Sequence, residues 1–143
     1  MSSQIYWEDV ALGEELPSVE LAITQKRIHL MTSGTQDWYP VHYDSAFASK
    51  SGHEEVFVNT GFIHAALVRV ITDWMGDSGF LSHLKFEMRR QHRLGDVMVC
   101  RARVTGKRMQ KEACIDLEVW AENEREGVAT PGEASVILPQ KQT

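Results

Sequence analysis

The sequence predicts an α+β fold in which one long helix packs against an antiparallel sheet. From Gly61 to Met75, apolar side chains recur at helical spacing, and Gly76 ends this segment. After Gly79, apolar and polar residues alternate with a period of two, which is typical of strands with one buried face. A chain of 143 residues buries enough apolar surface for a core, and we expect a single domain over residues 1–143.

Two short helices are expected before the long one. Thr24 has the side chain of an N-cap, and the helix that follows it is expected to stop at residues 33–34, Ser-Gly. Asp44 is an N-cap of the same kind for a second helix over residues 45–50. The segment between the two helices is therefore predicted to be a loop.

The long helix is expected to bury one broad face. Its predicted core residues are Phe62, Ala65, Ala66, Val70, Ile71, Trp74 and Met75. Because this face is wide and apolar, we expect the helix to be central to the fold.

Strands are predicted over residues 16–23, 84–89, 98–105, 115–121 and 133–138. The third and fourth are expected to pair through a turn near residues 109–110, which would place Arg103 near Asp116 and Arg101 near Glu118. The last strand is expected to start after the Pro-Gly pair at residues 131–132. A long helix placed before a run of hairpins and wrapped by their sheet is the α+β arrangement called the hot dog fold.

Composition and charge exclude several classes of protein. The formal net charge of -5 argues against a surface built to bind nucleic acid. No apolar run approaches the ~20 residues that cross a bilayer, and residues 1–9 lack a signal-peptide pattern, so we expect a cytoplasmic protein that does not enter a membrane. Cys100 and Cys114 lack metal-ligand spacing, which predicts free thiols and no metal site.

Asp37 and His42 form the best candidate for acid–base chemistry. They are separated by Pro40, which prevents the loop from continuing as a helix and favours a turn that brings both side chains together. A carboxylate beside an imidazole can hold a water molecule, accept its proton and return one to carbon. Spacing alone leaves an alternative, in which Asp37 caps a turn and His42 is an ordinary surface residue.

Several short stretches carry a family pattern. They are residues 37–44 (DWYPVHYD) with Ala46 and Ala48, residues 59–61 (NTG) at the start of the long helix, and residues 93–96 (RLGD). Together they resemble the MaoC-like family of (R)-specific enoyl-CoA hydratases, over a range from about Tyr6 to Val104. The resemblance implies a hot dog enzyme that hydrates a trans-2-enoyl-CoA, with coenzyme A as part of the substrate and no other cofactor.

The resemblance also implies roles for particular residues. Asp37 and His42 would bind and activate the water molecule, and the backbone N–H of Gly61 would donate to the thioester oxygen. A helix N-terminus suits that task because its free N–H groups and positive dipole end stabilise an enolate. Asp44 is expected to be structural, since it precedes a helix as an N-cap.

Three positions depart from the family pattern. Gln36 replaces the usual Gly before the catalytic Asp, Tyr39 replaces an Asn, and Asn59-Thr60 replaces the usual His before the oxyanion glycine. With residues 72–76 (TDWMG), this variant is closer to small hydratase subunits of actinobacterial type, which act on steroid side-chain CoA thioesters beside a larger partner. The resemblance thus implies a homodimer or a hetero-oligomer with another hot dog subunit.

Aromatic and basic residues near the proposed site are the candidate substrate contacts. Residues 85–111 hold nine Lys and Arg against two acidic residues, a local charge of +7. Arg89, Arg90, His92 and Arg93 have no obvious carboxylate partner nearby in sequence, which the phosphates of coenzyme A would supply. The other candidates are Trp38, Tyr39, Phe57, Asn59 and Phe62. A solvated strand end for the basic residues, and core or dimer packing for the aromatic ones, are the alternatives.

Two further functions stay open. Hot dog proteins include many acyl-CoA thioesterases, and a fold alone does not separate hydrolysis from hydration. The altered neighbours of the Asp/His pair also leave room for a non-catalytic subunit that binds acyl-CoA and completes a partner's site.

Overall fold

The computed structural model describes residues 3–142. The helices are α1 (Gln25–Thr35), α2 (Ser45–Lys50) and α3 (Thr60–Met75), with 3₁₀ turns at Trp7–Asp9 and Pro40–His42. The strands are β1 (Val19–Ala22), β2 (Phe80–Phe86), β3 (Val97–Met109), β4 (Ala113–Asn123) and β5 (Gly127–Ile137). No helix within this range is long and apolar enough to cross a membrane.

The five strands form one antiparallel sheet with the order β1-β3-β4-β5-β2. Alternate residues of β3 and β4 are buried against the core, as the period of two predicts. They are Met98, Cys100, Ala102 and Val104 on β3, and Ile115, Leu117, Val119 and Ala121 on β4. The long helix α3 contacts the sheet on this face, so the predicted α+β hot dog architecture is confirmed.

The start of α3 is set by a cap. The side chain of Asn59 accepts a hydrogen bond from the Phe62 N–H at 2.9 Å, so the helix begins at Thr60. The predicted burial of Ala66, Val70, Ile71, Trp74 and Met75 is confirmed. Nearer the start of the helix the prediction is wrong, because Ala65 is exposed and Phe62 is only partly buried, while Ile63 and Leu67 are fully buried. The apolar residues of α3 extend around most of its circumference, so periodicity alone did not fix which of them face the sheet.

Thr24 caps α1 as predicted, by accepting a hydrogen bond from the Arg27 N–H at 3.1 Å. The predicted stop at residues 33–34 is wrong, because α1 continues through Gly34 to Thr35. Gly34 has a helical backbone there, and the left-handed residue that ends the helix is Gln36, at φ 55°. The longer helix includes Thr35, which lines the candidate site.

The β3–β4 hairpin forms with a different register from the predicted one. Its turn lies at residues 110–112, and a bulge between Val104 and Gly106 shifts the pairing. Arg103 therefore forms its ion pair with Glu118 rather than Asp116. Arg101 pairs with Glu122 instead of Glu118, and Asp116 pairs with Arg108.

Strand β5 starts earlier than predicted and runs through Pro131. The carbonyl of Pro131 accepts from the Glu87 N–H at 3.0 Å, but proline has no N–H to return, so the ladder with β2 ends there. Gly132 is required because a Cβ would lie 2.6 Å from the carbonyl oxygen of Lys85. The Pro-Gly pair therefore marks the end of β2 rather than the start of β5.

Candidate active site

The loop after α1 folds back as the sequence predicts. Tyr39 has the extended backbone required before proline, and Pro40 begins a 3₁₀ turn that ends at His42. The side chains of Asp37 and His42 thereby meet, with 3.4 Å between Asp37 Oδ2 and His42 Nε2. Asp44 accepts a hydrogen bond from the Phe47 N–H at 3.0 Å, which is the structural capping role expected of it.

The ring of His42 has a defined tautomer. Its Nδ1 lies 2.8 Å from the carbonyl oxygen of Phe57, which only accepts hydrogen bonds, so Nδ1 carries the proton. In the neutral ring, Nε2 is then an acceptor, and it faces Asp37. His42 is only 8% exposed and its ring packs edge-on against Phe57, with 5.0 Å between the centroids. The site therefore presents a fixed imidazole lone pair next to a carboxylate.

The carboxylate of Asp37 is held by Asn59. The Nδ2 group of Asn59 donates to Asp37 Oδ2 at 3.1 Å and to Thr35 Oγ1 at 2.9 Å. The backbone N–H of Tyr39 also donates to Asp37 Oδ1, at 3.4 Å. Sequence reasoning missed Thr35, because the helix that carries it was expected to end one residue earlier.

Gly61 is the second residue of α3, where the backbone N–H has no acceptor within the helix. Its φ is not positive, and a Cβ would meet only Thr35 Cγ2 at 3.5 Å and Asn59 Oδ1 at 3.6 Å. Neither backbone conformation nor packing within this chain requires a glycine at this position. The N–H is placed at the positive end of a long helix, where a negative charge is stabilised.

These groups line one open cavity of about 420 Å³. Asp37, His42, Asn59 and Gly61 all contribute to its wall, together with Thr60 and Met88. The cavity thus combines an acid–base pair with the N-terminus of α3, which is the arrangement that addition to a polarised double bond needs.

The predicted aromatic lining is only partly present. Tyr39 and Phe57 line the cavity, and Tyr39 is 57% exposed at its rim. Trp38 instead packs edge-on against Tyr43, with 6.1 Å between the centroids, and is not part of the wall. Phe62 packs against the core and is also outside the wall.

The basic segment does not lack carboxylate partners, which corrects the prediction. Arg89 pairs with Glu87, Arg90 with Glu126 and Arg93 with Glu54. The fold brings two of these partners close, since Glu126 lies in the turn between β4 and β5 and Glu54 in the segment before α3. Glu87 is only two residues from Arg89. The basic segment still adjoins the cavity. Met88 lines the cavity, and the backbone of Arg93 forms an antiparallel β-bridge with that of Phe57, which also lines it.

His92 is not available to a phosphate. It is fully buried, its Nδ1 accepts from Asn123 Nδ2 at 3.0 Å, and its Nε2 lies 3.4 Å from Thr130 Oγ1. Burial lowers the pKa of His92 to about 4. At neutral pH the ring of His92 is therefore uncharged and buried in the core.

The thiol of Cys100 offers no second chemistry. Cys100 is fully buried, and burial raises its pKa to about 12, so it is not a nucleophile at neutral pH. Among residues 3–142, no group of three His, Cys, Asp or Glu side chains is placed to hold a metal ion.

Solved structures show the same fold. The (R)-hydratase of Pseudomonas aeruginosa in its unliganded form superposes with a TM-score of 0.84 and 19% identity, over 96% of this chain and 88% of that chain. The (R)-hydratase of A. caviae involved in PHA biosynthesis gives 0.83 and 18%, over 92% and 99% of the two chains. The ChsH1-ChsH2 complex of Mycobacterium tuberculosis gives 0.80 and 22%, over 90% and 98%. No curated protein matches this chain.

Fold and site together define a hot dog protein with an Asp/His pair at the N-terminal end of its central helix. Residues 9–124 match the family described as MaoC like domain, and the chain belongs to that family. The resemblance seen in the sequence is thereby confirmed at the level of the family.

Proposed function

We propose that this protein hydrates trans-2-enoyl-CoA thioesters to (R)-3-hydroxyacyl-CoA thioesters. The observation that carries the proposal is the fixed lone pair of His42 Nε2, 3.4 Å from Asp37 Oδ2, in a cavity shared with the Gly61 N–H. Membership of the MaoC-like hydratase family and the (R)-hydratase structural neighbours support the same chemistry.

The proposed reaction needs no group beyond these residues and the substrate. A water molecule donates hydrogen bonds to Asp37 and His42. This pair accepts one proton from the water as the water oxygen attacks C3 of the substrate. Electrons of the double bond move toward the thioester oxygen, where the Gly61 N–H stabilises the enolate. The proton is then returned to C2, so that water has added across the double bond. Coenzyme A takes part only as a portion of the substrate.

The first experiment removes the acid–base pair. Asp37→Asn and His42→Ala are each expected to lower the rate of hydration of crotonyl-CoA by about 10²–10⁴-fold, measured as loss of enoyl absorbance. Asp44→Asn is the matched control, because Asn is as good a helix cap as Asp and Asp44 lies outside the cavity. That variant is expected to retain the parent rate.

Three outcomes would contradict the proposal. Hydration at the parent rate by both Asp37→Asn and His42→Ala would remove the pair from the mechanism. Release of free thiol, with the enoyl group intact, would assign thioester hydrolysis instead. A folded chain that binds the thioester but carries out neither reaction would be a non-catalytic subunit.

We propose that the basic segment and the cavity rim bind the larger part of the substrate. Arg89, Arg90 and Arg93 are candidates for the phosphates of coenzyme A. Arg89 and Arg90 have exposed side chains and follow Met88 of the cavity wall, and Arg93 pairs with the exposed Glu54 and forms a backbone β-bridge with Phe57 of the same wall. Tyr39 and Met88 are the candidate contacts of the acyl chain. A series of enoyl-CoA thioesters from four carbons to steroid size would determine the acyl preference.

A further inference from the structure

The side-chain amide of Asn59 connects three parts of the site. Its Oδ1 accepts the Phe62 N–H of α3 at 2.9 Å. Its Nδ2 donates to Thr35 Oγ1 at the end of α1 and to Asp37 Oδ2, at 2.9 and 3.1 Å. One planar group therefore joins the N-terminus of α3, the end of α1 and the candidate acid–base carboxylate.

The orientation of this amide is unambiguous. A backbone N–H needs an acceptor and a carboxylate needs a donor, so a flipped amide would lose its bonds to both Phe62 and Asp37. Asn59 is only 5% exposed, and both hydrogens of Nδ2 are used within the protein. This differs from the substrate-binding role expected from the sequence, because the amide has no hydrogen left for a ligand.

Asp37 itself has few other restraints. It lies in the loop after α1, and its side chain is 39% exposed. Its other contacts are a long hydrogen bond from the Tyr39 N–H and His42 Nε2 at 3.4 Å, which donates no hydrogen to it in the neutral ring. The last torsion of an aspartate side chain is soft, so a carboxylate without a firm donor samples a wide range of orientations. The donor that limits this range belongs to the same helix start as the Gly61 N–H.

We infer that Asn59 is a positioning residue, which fixes the Asp37 carboxylate relative to the oxyanion donor of α3. The inference rests on the proposed hydration, since Asp37 is its water-binding carboxylate. Its physical basis is that a shift of about 1 Å in a catalytic group costs about 10²-fold in rate. Asn59 transmits the rigidity of the helix to a loop side chain that would otherwise rotate.

The test separates the capping role of Asn59 from its donor role. Asn59→Asp and Asn59→Ser keep an oxygen that accepts the Phe62 N–H, because Asp, Ser and Asn are comparable caps, but both lose the amide donor to Asp37. Asn59→Ser is expected to keep the parent melting temperature, while kcat for crotonyl-CoA falls by about 10–10²-fold and KM changes little. Asn59→Asp is expected to show the same fall in kcat but also to melt at a lower temperature, because it places a second carboxylate beside Asp37. Asn59→Ala loses both roles and is expected also to melt about 2–4 °C lower.

A second readout does not depend on activity. The side-chain amide resonances of Asn59 in an NMR spectrum are expected to move in Asp37→Asn and to stay in place in Asp44→Asn, since only the first change replaces the acceptor. Failure of the parent protein to hydrate any enoyl-CoA would refute the proposed function, whereas unmoved Asn59 resonances in Asp37→Asn would refute the contact. Parent-like kcat in both Asn59→Asp and Asn59→Ser would overturn the inference.

Discussion

Among single residues, His92 shows how far the structure departs from what residue type suggests. It lies in a basic stretch, yet its imidazole is buried between Asn123 and Thr130 and its backbone carbonyl accepts the Val58 N–H at 3.0 Å. Burial is the main cause of its lowered pKa of about 4, with Asp96 opposing that effect and Arg125 adding to it. The ring of His92 is thus buried in its neutral form. Its backbone carbonyl helps to hold the segment that carries Phe57.

This residue predicts a loss of stability in acid. An unfolded histidine titrates near pH 6.5 and folded His92 near pH 4, so below about pH 6.5 the unfolded chain binds the extra proton. The free energy of unfolding is expected to decrease as the pH falls through this window, by about 2–3 kcal/mol at pH 4.5 from His92 alone. Urea unfolding at pH 7 and pH 4.5 measures the effect.

His92→Gln provides the comparison for that experiment. Glutamine is neutral at both pH values and retains polar groups, so the variant is expected to lose less stability between pH 7 and pH 4.5 than the parent. An equal loss in the two proteins would show that other groups cause the acid sensitivity.

At the scale of elements, α1 contains a glycine near its end and α3 contains one near its start. The two glycines have different surroundings. Gly34 lies on the exposed side of α1, where a Cβ would have no atom within 4 Å. Gly61 lies at the start of α3 in the cavity wall. Neither has a positive φ, so alanine fits the backbone at both positions.

Replacement of the two glycines by alanine is expected to have different effects on hydration. Gly61→Ala is expected to leave stability unchanged or raise it by up to about 1 kcal/mol, because alanine favours helices. Hydration is nevertheless expected to fall at least about 10-fold, since the added methyl group crowds the approach of the thioester oxygen to the N–H. Gly34→Ala is the control, with a similar gain in stability and the parent rate. Thermal melts and enoyl-CoA assays of both variants test this, and a Gly61→Ala protein as active as the parent would contradict it.

The elements also show which features the sequence determines locally. The caps at Thr24 and Asp44 and the inward faces of β3 and β4 follow from side-chain chemistry and period, and these predictions are confirmed. The hairpin register did not follow, because the bulge beside Gly106 and the position of the turn depend on pairing across the whole ladder. The partners of Arg90 and Arg93 come from distant parts of the chain, which no local pattern shows.

The candidate site divides in the same way. The proline turn predicts that Asp37 and His42 lie close together, whereas their roles and that of Gly61 are implied by the resemblance to the MaoC-like family. The structure places all three residues around one cavity. Thr35 and the positioning contact of Asn59 depend on where α1 ends in three dimensions, which the exposed Gly34 obscured. The kinetic comparison of the variants tests the catalytic roles proposed for Asp37, His42 and Gly61.

For the whole molecule, the open cavity is small for the CoA thioester that is proposed as its substrate. Its volume of about 420 Å³ is near the low end for small-molecule sites, although a CoA thioester is large. Exposed apolar side chains surround it, among them Tyr39, Phe47 and Met88. We therefore propose that a second hot dog subunit, either another copy or a related chain, supplies the missing wall.

Solution mass and activity together test this proposal. Sedimentation equilibrium is expected to give at least twice the mass of the 16.2 kDa chain, with hydration by the homo-oligomer. A chain that is monomeric and inactive alone, and gains activity when mixed with a larger hot dog partner, would establish the hetero-oligomer instead. An active monomer at all concentrations would contradict both forms.

Strand β2 ends where it reaches Pro131 of the neighbouring strand β5, and this end determines the rim of the cavity. Residues 87–90 leave the regular ladder there, and their remaining bonds to β5 are made to the carbonyls of Pro131 and Ala129. Met88 is thereby released to the cavity wall, although Pro131 is not part of that wall. The shape of the cavity rim thus depends on where the sheet stops, and therefore on Pro131, a strand residue that does not itself touch the cavity.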